Sequence, residues 1–239
     1  MLWPRTALAT VPHHRRRALA LALFDLDNTL LAGDSDYLWG RFLAHEGLVD
    51  GVAYERENLR YYRAYQAGQL DIHEFLRFAL RPLAELDPAL LEVMRERFVS
   101  ETIAPIITPG APALLARHRA AGDRLAIITA TNRFVTGPIA ALLGIDDLLA
   151  TEPEQVDGRY TGQPAGIPCF REGKVTRLHA WLAEQRLGLA GSWFYSDSLN
   201  DLPLLEVVDH PVAVDPDDAL AQAASERDWP VISLRGAAA

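Results

Sequence analysis

The run from Ala18 to Phe24, ALALALF, has the length of one buried strand, and it ends abruptly in Asp25-Leu26-Asp27-Asn28. An apolar run without polar alternation suits a strand covered on both faces, as in a parallel sheet. Similar runs follow in RLAIITATN, GSWFYSDSLND and HPVAVD, with a fainter one in PVISL. Helical patterns separate most of them, over Pro112 to Ala121, Phe134 to Leu143, Lys174 to Arg186, Leu199 to Val207 and Asp217 to Ser225. This alternation predicts right-handed βαβ units and a largely parallel α/β sheet. Such sheets collect ligands at the carboxyl ends of their strands, where three of these runs carry acids or hydroxyls.

Residues 34–104 break the alternation. Helical patterns cover Tyr37 to His45, Val52 to Ala67, Ile72 to Leu80 and Pro88 to Val99, punctuated by Gly47, Gly68 and Pro82. Asp87 followed by Pro88 is a helix start, with proline where its missing N–H costs nothing. The chain therefore divides into a loose basic leader (1–17), a core (18–33 and 105–239) and a helical insert (34–104) placed beside the strand tips as a lid.

Composition narrows the function. The 239 residues are 49% apolar and 23% charged, which is ordinary globular usage. The net charge is −9 although the leader holds four arginines and no acid, so the body is more acidic still. That argues against binding nucleic acid. No run approaches the roughly 18 apolar residues of a membrane helix, so no membrane partner is expected. The leader's arginines follow its weakly apolar stretch, the reverse of a signal peptide. With Cys169 alone, no internal disulfide can form, which suits a reducing, cytoplasmic setting. Of the 23 basic residues outside histidine, 22 are Arg and the remaining one is Lys174.

Asp25 and Asp27 stand two apart at a strand end, so their carboxylates can point the same way. Two such groups cannot both ionise freely without a cation, which suits a nucleophile beside a general acid. Asp197 and Asp201 open the turn after another strand. Together these acids form a hard-oxygen set of the kind Mg²⁺ takes. Thr129 offers a hydroxyl at a third strand end, and the N–H groups of Ala130 and Thr131 lie near a helix start suited to an anion. Lys174 begins a helix, where a compact ammonium meets phosphate or carboxylate.

FDLDNTL, IITATN, EGKVTRL and YSDSLNDLPLLE, in that order, resemble the four motifs of the haloacid dehalogenase superfamily, and the match extends over nearly the whole chain from residue 19. The resemblance implies a Rossmann-like parallel-sheet core with an inserted four-helix-type cap. It also implies a phosphatase in which Asp25 attacks phosphorus to form an aspartyl-phosphate. Asp27 would protonate the leaving alcohol and then deprotonate the hydrolytic water. Mg²⁺ would be held by Asp25, the backbone carbonyl of Asp27 and Asp197. Thr129 and Lys174 would hold the phosphoryl oxygens, with Asp201 orienting Lys174 or a metal-bound water.

The helical insert directly after the first motif is similar to the phosphoserine-phosphatase-type branch, subfamily IB. In that branch a Glu nine residues after the nucleophile reads the substrate amine, a cap Arg reads its carboxylate, and an Asn of the fourth motif positions it. Here Asp34 stands at that place, one methylene shorter, and Asn200 matches the Asn. Arg63, Arg77 and Arg81 compete for the cap position, with Arg77 preferred. The shortened acid puts phosphoserine in doubt and leaves another small amine-bearing phosphate ester, such as histidinol phosphate, as an equal choice.

Rival readings differ in specific residues. A phosphoaspartate signalling module lacks a helical insert here and the DxDNT strand end. A metal-independent dehalogenase has no need of Asp27. A phosphonate-cleaving relative needs a cap lysine, and residues 34–104 contain none. Among plainer readings, Asp34 is a helix cap, Cys169 is structural, and Tyr61, Tyr62 and Tyr65 on one helix are core packing.

Overall fold

The computed structural model describes residues 20–236. The expectations for 1–17 lie outside the described residues. At the centre is strand β1 (Leu21–Phe24), flanked by β2 (Arg124–Asn132) and β5 (Trp193–Ser196) in a seven-stranded sheet of order β4-β3-β2-β1-β5-β6-β7. The outer strands are β3 (Asp147–Val156), β4 (Arg159–Ala165), β6 (His210–Val214) and β7 (Val231–Ile232). All pairings are parallel except β3 with β4.

Alternation along β1 explains how both faces are filled. Leu21 and Leu23 point to one side, with Ala126, Ile128, Phe194 and Ala213. That side packs against α7 (Glu172–Gln185), the short α8 (Leu202–Leu205) and α9 (Asp218–Glu226). Ala22 and Phe24 point to the other side, with Ile127, Tyr195 and Val212. There the cover is α5 (Ala111–Ala121) and α6 (Arg133–Leu142).

Between β1 and β2 run α1 (Ser35–His45), α2 (Gly51–Gln66), α3 (Ile72–Glu85) and α4 (Pro88–Phe98). Each starts on an aspartate side chain, Asp34, Asp50, Asp71 or Asp87, accepting from a backbone N–H of the first turn. The chain returns through a wide π-type turn at Val99–Ile103 and a tighter turn at Ala104–Ile106, across the expected junction at 104 and 105. The insert is fused to the core: Trp39 meets Phe98 at 5.2 Å and Phe134 of α6 at 5.9 Å, inside the same apolar cluster as Phe24.

Two features depart from the sequence expectation. Helix α3 runs past Leu80 and through Pro82 to Glu85. The backbone bond lost at proline is offset because Leu80, Pro82 and Leu83 are all buried. Strands β3 and β4 were not expected, since residues 147–165 are rich in Glu and Pro. Their signal is Asp157-Gly158, both at positive φ (51° and 76°), a hairpin turn of the Asp-Gly kind. The hairpin buttresses the insert, with the Cα of Arg81 lying where a side chain on Gly162 would point.

Candidate active site

β1 delivers Asp25 to the middle of the sheet's carboxyl edge. Phe24 pairs with Ile127 on one side and Tyr195 on the other, so Thr129 and Asp197, two residues further along, flank Asp25. The Asp25 N–H donates to Tyr195 O at 2.9 Å, continuing the ladder one step. The chain then turns away through Asn28, whose φ of 56° is a left-handed conformation that asparagine tolerates.

Asp27 is held from two sides. Its Oδ1 accepts from Ser35 N at 2.7 Å, at the start of α1, and its Oδ2 accepts from Thr131 Oγ1 at 2.7 Å and Thr129 Oγ1 at 3.4 Å. The carboxylate is thus anchored to both the insert and the β2 loop. Asp197 accepts from Thr29 Oγ1 at 3.1 Å.

Lys174 lies in the first turn of α7 and is only 3% exposed. Its Nζ donates to Asp25 Oδ1 at 2.7 Å and to Asp201 Oδ2 at 2.8 Å. Ser196 Oγ also donates to Asp201 Oδ2, at 2.7 Å. The loop before Lys174 is tightly wound: a Cβ on Gly173 would lie 2.0 Å from Pro168 O, so only glycine fits there.

The electrostatics follow from burial. Burial raises the Asp25 carboxyl above its ordinary value; Lys174 opposes this, while Asp201 and Asp27 add to it. Asp197 is pushed well up by burial and by the charges of Asp25 and Asp201. Burial alone would lower the Lys174 ammonium, but Asp201 and Asp25 outweigh it and hold its pKa above that of an ordinary lysine. These acids need a further cation to ionise together.

A cavity opens from Asp25 and Asp27 toward the insert. Asp34, Asp36, Asn58, Ala130 and Thr131 line it, with a wall of Tyr37, Tyr61, Tyr62, Tyr65, Phe75 and Phe170. Asp34 accepts from Tyr37 N at 2.8 Å, so it is a helix cap and a cavity wall at once. Burial raises Asp34 to about 7, with Asp27 adding, and raises Asp36 well above the carboxylate range, with Asp34 and Asp27 adding. No Arg, Lys or His lines this cavity among the described residues.

The sequence-predicted residues therefore divide. Asp25, Asp27, Thr129, Lys174, Asp197 and Asp201 converge, and Asp34 and Ala130 line the adjoining cavity. Arg77 does not: on α3 the buried positions are Leu76, Ala79, Leu80 and Leu83, and that helical phase leaves Arg77 exposed. Arg63 and Arg81 are exposed too, Arg81 facing Glu85 at 3.7 Å. Asn200 lies beside the cavity in the seam under α2, bonded to Arg171 and to Tyr65 O rather than facing Asp25. Tyr61, Tyr62 and Tyr65, taken from sequence as core packing, line the cavity; Tyr61 also packs on Phe75 and Phe78. The Thr131 hydroxyl, Ser196, Arg171 and Asp36 were not singled out. Only Thr131 carried a signal, standing two residues beyond Thr129 at the same strand end.

Comparison with known proteins gives a consistent picture. The family model for haloacid dehalogenase-like hydrolases matches residues 22–206. A histidinol-phosphatase of Neisseria meningitidis serogroup C is 46% identical over 219 residues, 90% of this chain and 99% of that one. A phosphoserine phosphatase of Mycobacterium tuberculosis is 32% identical over 219 residues, 90% of this chain and 71% of that one. Among solved structures, a protein of unknown function from Bordetella pertussis Tohama I superposes with a TM-score of 0.86 at 46% identity, covering 91% of this chain and all of that one. A substrate-bound phosphoserine phosphatase has the same fold, with a TM-score of 0.68 at 19% identity, over 91% of this chain and 94% of that one.

A Rossmann-like sheet with an inserted helical cap, and relatives that are phosphatases, define a phosphoric monoester hydrolase. The chain belongs to the haloacid dehalogenase-like hydrolases.

Proposed function

We propose that this enzyme is a Mg²⁺-dependent phosphomonoesterase that acts through an aspartyl-phosphate on Asp25, and that its substrate is histidinol phosphate. The observation that carries the substrate is the cavity beside Asp25: it is acidic and aromatic and presents no basic side chain among the described residues. A ligand there gains from positive charge against Asp34 and Asp36 and from a flat ring against tyrosines. A carboxylate would be desolvated there with no cation among the lining residues to meet it. Histidinol phosphate has an amine and an imidazole and no carboxylate, whereas phosphoserine has one. The Neisseria relative's name points the same way.

The donor set fits a magnesium ion. Among the described residues no three His, Cys, Asp or Glu side chains form a metal-holding group. Asp25 and Asp197 would therefore hold the ion with the Asp27 carbonyl and water, and Mg²⁺ ordinarily keeps several waters. Asp197, 8% exposed and surrounded by acids, gives a dication its reason to bind. When bound, the ion supplies charge that lets carboxylate and phosphate dianion approach.

The protein's own groups do the rest. An Asp25 oxygen attacks phosphorus while the ester P–O bond breaks, and Asp27 gives its proton to the departing alcohol oxygen. Water then attacks the aspartyl-phosphate, Asp27 takes its proton, and inorganic phosphate leaves. Lys174 and Thr129 hold the phosphoryl oxygens, and Asp201 fixes the ammonium.

The test is the ratio of kcat/KM for histidinol phosphate and phosphoserine with Mg²⁺ present. The proposal expects histidinol phosphate to be favoured by at least about 100-fold, the scale of leaving one charged group unpaired. A preference for phosphoserine would overturn the substrate assignment and leave the phosphatase class in place.

A further inference from the structure

Arg171 takes no part in the chemistry above, yet it occupies a costly backbone position. Its φ of 50° and ψ of −122° belong to a turn site that favours glycine, closed by Gly173 N donating to Phe170 O at 2.8 Å. An arginine kept there must repay that strain through its side chain.

The guanidinium spans three segments. Nη2 donates to Gly68 O at 2.6 Å, just beyond the end of α2. Nε and Nη2 donate to Asn200 Oδ1 at 3.0 and 2.9 Å. Asn200 Nδ2 in turn donates to Tyr65 O at 3.3 Å, in the last turn of α2. On the other side, Arg171 O accepts from Lys174 N at 2.9 Å. The Tyr65 side chain packs against Phe170, is bonded to Ser198 and lines the cavity beside Asp25 and Asp27.

We propose that Arg171 is a positioning residue that latches the C-terminal turn of α2 down over the phosphoryl site, acting through Asn200 and Tyr65. With the latch made, Tyr65 caps the catalytic carboxylates and excludes water from them. With it broken, the end of α2 keeps the stack of Tyr62 on Tyr37, the ring packing of Tyr61 on α3 and the contact of Tyr65 with Phe170. It loses its tie to Gly68 O and the fork that orients Asn200, and Tyr65 withdraws from the carboxylates more often. The inference rests on Asp25 and Lys174 as the phosphoryl site and is independent of which ester is hydrolysed.

Arg171→Gly is the incisive variant, because it removes the guanidinium while giving the turn the residue its backbone prefers. Amide hydrogen exchange is measured on Mg²⁺-loaded enzyme without substrate, and steady-state kinetics with p-nitrophenyl phosphate. The expected result is exchange at least about tenfold faster over residues 61–68, with β1, α3 and α4 unchanged. KM should rise by at least about tenfold, with a smaller change in kcat. Arg171→Lys should restore protection only in part, since one ammonium on a flexible stem does not reproduce the planar fork. Unchanged exchange over 61–68, an unchanged KM, or faster exchange spread evenly over the chain would each overturn the latch. Failure of the histidinol phosphate assignment would show in the substrate ratio and leave the exchange result unaffected.

Discussion

The Lys174 ammonium lies 2.7 Å from Asp25 Oδ1, and an Asp201 oxygen lies 2.7 Å from the same nitrogen. Both carboxylates and the ammonium are almost wholly buried, so their attraction is little screened. The arrangement fixes one oxygen of Asp25, so that the other is the one proposed to attack phosphorus. In the proposed mechanism it also puts a positive charge beside the phosphoryl oxygens.

Lys174→Arg therefore removes more than it keeps. A planar guanidinium is broader than an ammonium, and this nitrogen is buried and already held between Asp25, Asp201 and the Phe194 ring. The expected loss in kcat/KM is at least about 100-fold, the scale of one lost charge-stabilising donor. Activity within a few-fold of wild type would contradict the assignment.

The sheet's sequence was legible where strands are apolar and end in polar residues. RLAIITATN predicts a strand and Arg124–Asn132 is one; ALALALF ends at the residue that leaves β1. Spacing alone brought Asp25, Asp27, Asp197 and Asp201 to one edge, because parallel strands align their tips. Orientation was not legible in the insert. Arg77 differs from its neighbours only in helical phase, and a tyrosine stripe reads alike whether it faces a core or a cavity. Asn200 sits at the expected spacing, but Arg171, a residue without a motif, decides which way its amide turns. The β3–β4 hairpin was masked by its Glu and Pro content, its one marker being Asp157-Gly158.

Metal dependence should appear in stability as well as rate. Chelator should abolish phosphate release and Mg²⁺ restore it. If, as proposed, the ion binds only the folded chain, Mg²⁺ at about 100 times its Kd should stabilise the wild type by about 2.7 kcal/mol. In Asp197→Asn, calorimetry should find that increment lost or sharply reduced. An equal Mg²⁺-induced rise in Tm in both proteins would place the ion elsewhere.

Asp34 gives the stability a pH dependence. Its carboxyl is raised by burial from 3.8 to about 7, so the folded state holds the proton more tightly than the unfolded chain. The resulting stability is fully present below about pH 4 and is lost as pH rises through 7. Asp34→Asn keeps the helix cap, since asparagine caps as well as aspartate, and removes the titration. In denaturant melts without metal, the wild type should lose on the order of 1 kcal/mol more than the variant between pH 4.5 and 8. Parallel pH profiles would count against a raised Asp34.

Asp25→Asn keeps the shape of the strand tip and removes the proposed nucleophile. Its kcat should fall by at least about 1,000-fold, as when a covalent nucleophile is lost, with Mg²⁺ and ester at saturation. Turnover near the wild-type rate would end the covalent mechanism.

The most direct measurement is to mix enzyme, Mg²⁺ and histidinol phosphate, quench in acid within the first turnover, and read the intact and peptide masses. The account predicts one added phosphoryl group on the peptide carrying Asp25 in the wild type and none in Asp25→Asn. A phosphoryl group on any other residue, or rapid phosphate release by Asp25→Asn, would contradict it.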